Sequence, residues 1–193
     1  MKTDTASFPV IETDRLVLRS LNSDDADALL KLRSDELVNR YLDRPPTTTV
    51  ADAQAFIDKI IKADATYWAI SLKNPPGLIG TICLWNFNAE KNMAEMGYEL
   101  MPNQQGQGVM NEAMQAVINY SFDKLQLRIL AALTHPDNEA SAKLLKRNGF
   151  EEDKGNEFVS KEDTDGLSAY VLKSQKASLF PLSKPLINFH GHH

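Results

Sequence analysis

The chain has 193 residues, 42% of them hydrophobic, and a formal net charge of −5 at pH 7. That suits one ordinary domain with a real core, and the acidic balance excludes a general nucleic-acid binder, which needs a basic excess. A single cysteine, Cys83, excludes an internal disulfide framework and a cysteine-rich metal site; no apolar run is long enough to span a membrane, and no basic-then-apolar secretion signal opens the chain, so a cytoplasmic protein is expected.

Residues 1–10 read as a loose arm. Arg15-Leu16-Val17-Leu18-Arg19 alternates and predicts a strand. Asn22-Ser23-Asp24-Asp25 offers N-cap chemistry and an acidic first turn, with Ala26, Leu29, Leu30 and Leu37 at helical spacing behind it. Arg44-Pro45-Pro46 breaks the chain. Thr49 then caps a second helix, with Asp52 in the capping-box position and Ala53, Phe56, Ile57, Ile60 and Ile61 on its apolar face. Tyr67–Lys73 and residues 78–87 read as strands joined by the turn Asn74-Pro75-Pro76-Gly77, hence a hairpin. Cys83 falls inside the second of these strands and reads as a small buried residue rather than a nucleophile.

After a polar turn at residues 88–92 come a strand over 94–101, two glycines at 106 and 108, and a helix over 109–124. Residues 127–134 form an apolar run without clear alternation, as expected of a strand covered on both faces. A short helix, Glu139–Arg147, ends at the C-cap signal Asn148-Gly149. Phe150 opens a further strand region, and Ser168–Lys173 is the last strand. The tail after Ser174 carries Pro181, Pro185 and three close histidines, His190, His192 and His193. It reads as a tail beyond a single domain over residues 10–173, and no metal site is assigned to it.

The strand, glycine turn and helix around Gln104-Gln105-Gly106-Gln107-Gly108-Val109-Met110 make an anion site. Backbone N–H groups at a helix N-terminus lack intrahelical acceptors, and the helix dipole adds positive charge. Glycine lets a phosphate approach the main chain. A dinucleotide fingerprint needs a third glycine where Asn111 stands, and a P-loop needs Gly-Lys-Ser/Thr, which is missing.

Three segments carry a family resemblance. They are Thr13-Asp14-Arg15-Leu16-Val17-Leu18-Arg19; Gly97-Tyr98-Glu99-Leu100-Met101-Pro102 running on to Gly106-Gln107-Gly108; and Asn138-Glu139-Ala140-Ser141 followed by Lys146-Arg147-Asn148-Gly149-Phe150. In this order and spacing the chain resembles the GNAT superfamily of acetyl-CoA-dependent N-acetyltransferases. Within it, the chain is similar to the RimL/RimJ branch that acetylates ribosomal-protein N-termini. The implied fold is α+β: a mixed, mostly antiparallel sheet of about seven strands flanked by about four helices. That sheet splays between its fourth and fifth strands, 94–101 and 127–134.

The resemblance implies acetyl-CoA as cosubstrate, with its pyrophosphate on the main chain of Gln105, Gly106, Gln107, Gly108, Val109 and Met110. Met110 stands where the wider family has a small residue. Backbone groups of Leu100 and Met101 are expected to hold the pantetheine arm as an added strand, and an N–H near Leu100 to polarise the thioester carbonyl. Asn138 suits a helix cap and, by resemblance, a bond to pantetheine. Many family members place an acidic tyrosine seven residues after that asparagine; here it is Leu145. Ser141 is the replacement donor toward sulfur, or simply a polar first-turn residue. Three bases are open: Glu162 (or Glu157, if the loop slips), Glu99 and His135. Tyr41, Trp85 and Phe87 are candidates for the acceptor wall or the core.

The expected reaction is acetyl transfer to a primary amine, foremost a protein or peptide N-terminus, ribosomal or other. Small-molecule amine acetylation (polyamine, antibiotic or amino acid) and acyl-CoA sensing without turnover are the alternatives. The branch often forms homodimers, so a homodimer is a candidate assembly, with neither nucleic acid nor membrane as partner.

Overall fold

A computed structural model describes residues 8–175. The C-terminal histidines and most of the tail lie outside the described residues. The elements are β1 (Ile11–Glu12), β2 (Leu16–Ser20), α1 (Ala26–Ser34), α2 (Glu36–Asn39), α3 (Val50–Lys62), β3 (Tyr67–Lys73), β4 (Pro76–Asn88), β5 (Met93–Leu100), α4 (Val109–Asp123), β6 (Ile129–Thr134), α5 (Glu139–Arg147), β7 (Glu151–Glu152), α6 (Lys161–Thr164) and β8 (Ser168–Lys173). One sheet runs in the order β1-β2-β3-β4-β5-β6-β8-β7. Every neighbouring pair is antiparallel except β5 and β6. The α+β mixed sheet is as expected. Among the described residues it has eight strands rather than about seven, and six α-helices rather than about four. The extra elements are short: β1 has two residues, and α2 and α6 have four each, too few to show a period.

The sheet buries both faces. On one, Leu16, Leu18, Trp68, Ile82, Met96 and Leu100 pack with Met114 and Val117 of α4. On the other, Ala69 and Leu78 pack with Leu29 and Leu32 of α1 and Ile57 of α3. Burying one large apolar side chain contributes about 1.5–3 kcal/mol, so these two layers supply most of the stability. The arm is tied down at its described end. Trp68 Nε1 donates to the Pro9 carbonyl at 2.8 Å, and Phe8 meets the Trp68 ring edge-on.

The first helix is shorter than its spacing suggests. Asp35 is extended (ψ 129°), which ends α1, and its carboxylate accepts from the N–H groups of Leu37 and Val38 to start α2. Leu37 is therefore 65% exposed instead of sharing the apolar face of α1. The capping box at Thr49 and Asp52 forms in both directions. Asp25 closes a similar box with Asn22 and is gripped by both terminal nitrogens of Arg19 at 2.7 Å.

The splay follows from the register. β5 and β6 pair in parallel only at Met93–Ile129, Ala94–Leu130 and Glu95–Ala131. Beyond Glu95, β5 bonds only to β4, while β6 bonds only to β8. A gap opens there between the centre strands.

Candidate active site

The glycine turn forms one end of this gap. Gly106 (φ +73°) and Gly108 (φ +76°) are both left-handed, a conformation that strains any residue with a Cβ. Gly108 is the N-cap of α4 and offers no side-chain cap; the first intrahelical bond there runs from Glu112 N–H to its carbonyl. Among the described residues, the N–H groups of residues 106–110 have no acceptor. Five successive unpaired donors at a helix N-terminus are an anion cradle.

The Thr13-x-Arg15 motif shapes that cradle. Arg15 Nη1 donates to the Gln107 carbonyl at 3.0 Å, and its Nε meets Glu112 Oε2 at 2.6 Å. Thr13 Oγ1 and the Arg15 backbone N–H both donate to Glu112 Oε1. Burial opposes the charge on Glu112, yet these bonds from Thr13 and Arg15 hold its carboxyl below the usual range. The Gln107 carbonyl is thus held by the Arg15 side chain.

Along β5 the backbone alternates in direction. Met101 N–H bonds to Ile79 O and its carbonyl accepts from Gln104 N–H, so both groups are used. The expectation that Met101 adds to a strand on the open side is therefore corrected: alternation turns it toward β4. The N–H groups of Tyr98 and Leu100 are those that alternate toward the gap. The Leu100 carbonyl accepts from Gln105 Nε2 at 3.0 Å.

Across the gap, Asn138 caps α5 by accepting from Ser141 N–H at 3.2 Å. Tyr98 reaches from β5 to α5, its hydroxyl 2.7 Å from Ser141 Oγ. Burial pushes the Tyr98 phenol up to about 12, against a smaller lowering by Ser141. It is therefore protonated at neutral pH, and either hydroxyl can donate in this pair; with Tyr98 as donor, the Ser141 hydrogen is free to point elsewhere. Leu145, where the usual tyrosine is missing, is wholly buried in the core.

The other face of β5 carries two buried carboxylates. Glu99 is not solvated. Arg44 Nη1 lies 2.6 Å from its Oε2, Arg33 Nη1 lies 3.6 Å from its Oε1, and Thr81 Oγ1 donates to Oε1 at 3.2 Å. Glu95 sits on the last paired rung before the gap. Its Oε1 accepts from Asn86 Nδ2 at 2.5 Å, whereas Oε2 is buried without any partner. Burial raises its carboxyl above the usual glutamate range; Asn86 opposes this and the charge of Asp163 adds to it. Glu95 was not among the bases the sequence suggested. Strand periodicity signals it, because it shares a face with Glu99 four residues away, but its burial follows only from the packing.

The remaining candidates scatter. Glu162 is exposed in the first turn of α6, and Glu157 is exposed too. His135, at the end of β6, stacks on Tyr41 with ring centroids 5.3 Å apart and accepts from Asp137 N–H. Trp85 is 38% exposed on β4. Cys83 packs its sulfur against Gly97, and burial pushes the thiol up to about 12, which excludes a ready nucleophile.

A family description, acetyltransferase (GNAT) domain, matches residues 15–151. The chain belongs to the GNAT acetyltransferase family. This acetyltransferase is 33% identical over 150 residues to the uncharacterised N-acetyltransferase YoaA of Bacillus subtilis strain 168, covering 76% of this chain and 85% of that one. It is 36% identical over 73 residues to the ribosomal-protein-serine acetyltransferase of Escherichia coli K12, covering 38% of this chain and 41% of the other. Among solved structures, one from Vibrio cholerae, provisionally described as a ribosomal-protein-serine acetyltransferase, superposes with a TM-score of 0.73 at 26% identity. That match covers 86% of this chain and 98% of the other.

The acetyltransferase thus uses acetyl-CoA to acetylate an amine. Among the described residues no group of three or more His, Cys, Asp or Glu is placed to hold a metal ion, and no helix is long and apolar enough to cross a membrane.

Proposed function

We propose that the acceptor is the α-amine of a peptide or protein N-terminus and that Glu95 is its proton acceptor. The observation that carries this is the unpaired, buried Oε2 of Glu95 on the rung where β5 and β6 part. Glu95 keeps one oxygen free for the amine, whereas the oxygens of Glu99 already take Arg33, Arg44 and Thr81. The nature of the amine follows from pKa matching. An α-ammonium loses its proton near 7.7–8.0, a lysine-type ammonium near 10.4. A carboxylate base covers the first difference far more readily than the second. The similarity to a ribosomal-protein-serine acetyltransferase supports a protein acceptor.

In this reading, residues 105–110 hold the pyrophosphate of acetyl-CoA, and the N–H groups of Tyr98 and Leu100 face the pantetheine arm and thioester carbonyl. The neutral amine attacks that carbonyl. The new C–N bond forms as the C–S bond breaks, and Glu95 takes the amine proton, directly or through water. The Ser141 hydroxyl, backed by Tyr98, donates a hydrogen bond to the departing thiolate. This replaces the usual tyrosine without needing Leu145. Asn138 fixes the first turn of α5, and with it the position of Ser141.

The test is a panel of N-terminal peptides and polyamines mixed with acetyl-CoA, with free thiol and product mass followed together. Thiol release with acetylation at the peptide α-amine is expected. Acetylation of polyamines but of no peptide would sink the N-terminal reading, and tight acetyl-CoA binding without thiol release from any acceptor would favour a sensor.

A further inference from the structure

The loop from α2 to α3 borders an open pocket of about 410 Å³, lined by Arg33, Asn39, Leu42, Arg44, Thr47 and Thr48 among others. Ligand sites commonly fall in the range of about 300–1,000 Å³. Two guanidinium groups stand in its wall, and their side chains are only 12% and 14% exposed. Both are fixed in place. Arg33 lies 4.1 Å above the Phe56 ring and donates from Nε to Thr47 Oγ1; Arg44 Nε donates to Asn39 Oδ1 at 2.9 Å.

The charges do not balance. Glu99 is the only carboxylate within 4 Å of either guanidinium among the described residues. Two cations against one anion leave an excess positive charge in a largely dehydrated site. Arg44 Nη2 is also buried without an acceptor. An orphaned buried N–H on a charged group is costly, and an anion beside it removes that cost.

We propose that this cavity receives a carboxylate of the acceptor, so that the enzyme selects N-terminal peptides carrying an acidic residue a few positions in from the amine. The inference rests on Glu95 as the amine end. Glu95 and Glu99 share one face of β5, four residues apart, or about 13 Å at the strand rise. An extended peptide covers that span in about four residues at ~3.3–3.6 Å each. The acceptor therefore places its amine against a carboxylate and its third or fourth side chain against two arginines. A free amino acid is too short to touch both ends.

The experiment uses pentapeptide amides in which one Glu moves from the second to the fifth position, each against its Gln counterpart, with kcat/KM from thiol release. A Glu preference of about tenfold at the third or fourth position is expected, carried by KM. Arg44→Gln removes the excess charge while leaving the Arg33–Glu99 pair, and should erase the preference. Leu42 is 44% exposed at the cavity wall, so Leu42→Glu tests the same point without disturbing buried charge and should reverse it. Equal turnover of Glu and Gln peptides by the wild-type enzyme overturns the inference and leaves the N-terminal reading standing. If no peptide is acetylated, calorimetry on the CoA-loaded protein separates the two ideas. Tighter binding of the Glu peptide, lost in Arg44→Gln, supports the anion site and removes the N-terminal reading; equal binding overturns the anion site as well.

Discussion

The two sides of β5 offer different means of holding a ligand. Toward α4, the glycine turn offers main-chain N–H groups, and Gly106 and Gly108 matter for the backbone they permit. On the opposite face of the sheet, side chains gather instead: Glu95 with Asn86, and Glu99 with Arg33 of α1 and Arg44. A main-chain cradle recognises any phosphate of the right shape and leaves little to vary. A side-chain cluster sets charge and reach through the residues that compose it. A family that keeps one donor and changes acceptors benefits from this division.

The hardest blow to the donor side is Gly108→Glu. The residue needs φ +76°, and Arg15 Nη2 lies 3.5 Å from where its Cβ would stand. A side chain here strains the turn by about 1–2 kcal/mol and puts a carboxylate beside the pyrophosphate. Acetyl-CoA affinity measured by calorimetry should fall on the order of a thousandfold, about 4 kcal/mol. Affinity within a few-fold of wild type would show that the cradle is elsewhere.

On the acceptor side, Glu95→Gln separates chemistry from binding. The isostere keeps an acceptor for Asn86 and loses the base. We expect kcat to fall about a hundredfold, at the low end for general-base loss, with KM for acetyl-CoA unchanged. The wild-type kcat–pH profile should rise with an acid limb above the ordinary glutamate range, since burial raises this carboxyl. Stability carries the opposite sign. A carboxyl raised in the folded state stabilises at low pH, and that contribution is lost as pH rises through the folded pKa. Thermal melts should therefore show Glu95→Gln gaining on wild type as pH increases. A full-rate variant with an unchanged pH profile would return the base role to water.

The same division explains what was legible in the sequence. The turn at Gly106 and Gly108, the Thr49 box and the hairpin after Lys73 are local patterns, and local chemistry fixes them. The Thr13-x-Arg15 motif was visible as a motif, but its partner Glu112 lies 97 residues beyond Arg15. Glu95 reads as an ordinary alternating polar residue, and Glu99, read as a candidate base, carries no sign of its partners in the sequence. Only the sheet decides that one is left with a free oxygen and that the other meets Arg33 and Arg44, 55 residues from the nearer arginine. Met101 shows the limit from the other direction: the strand was expected to run to Met101 but ends at Leu100, and the Met101 N–H is spent on Ile79 of β4, which depends on the register with β4. Pairing across such separations is set by packing, not by any window of sequence.

Arg15 belongs to the main-chain side and yet acts through its side chain, so it probes how far the comparison holds. Its fork bonds both Glu112 and the Gln107 carbonyl. The side chain is 48% exposed, so the ion pair itself is worth little, within about 1 kcal/mol. Arg15→Lys keeps the charge near Gly108 but cannot hold two acceptors in one plane. If the role of Arg15 is to hold the Gln107 carbonyl out of the cradle, Arg15→Lys should weaken acetyl-CoA binding about three- to fivefold, with a melting temperature close to wild type. Arg15→Gln, which also removes the charge, should weaken binding further, and that added loss should shrink as salt rises. Were lysine and arginine equivalent, the carbonyl contact would be incidental, and Arg15 would act as a point charge on the phosphate turn.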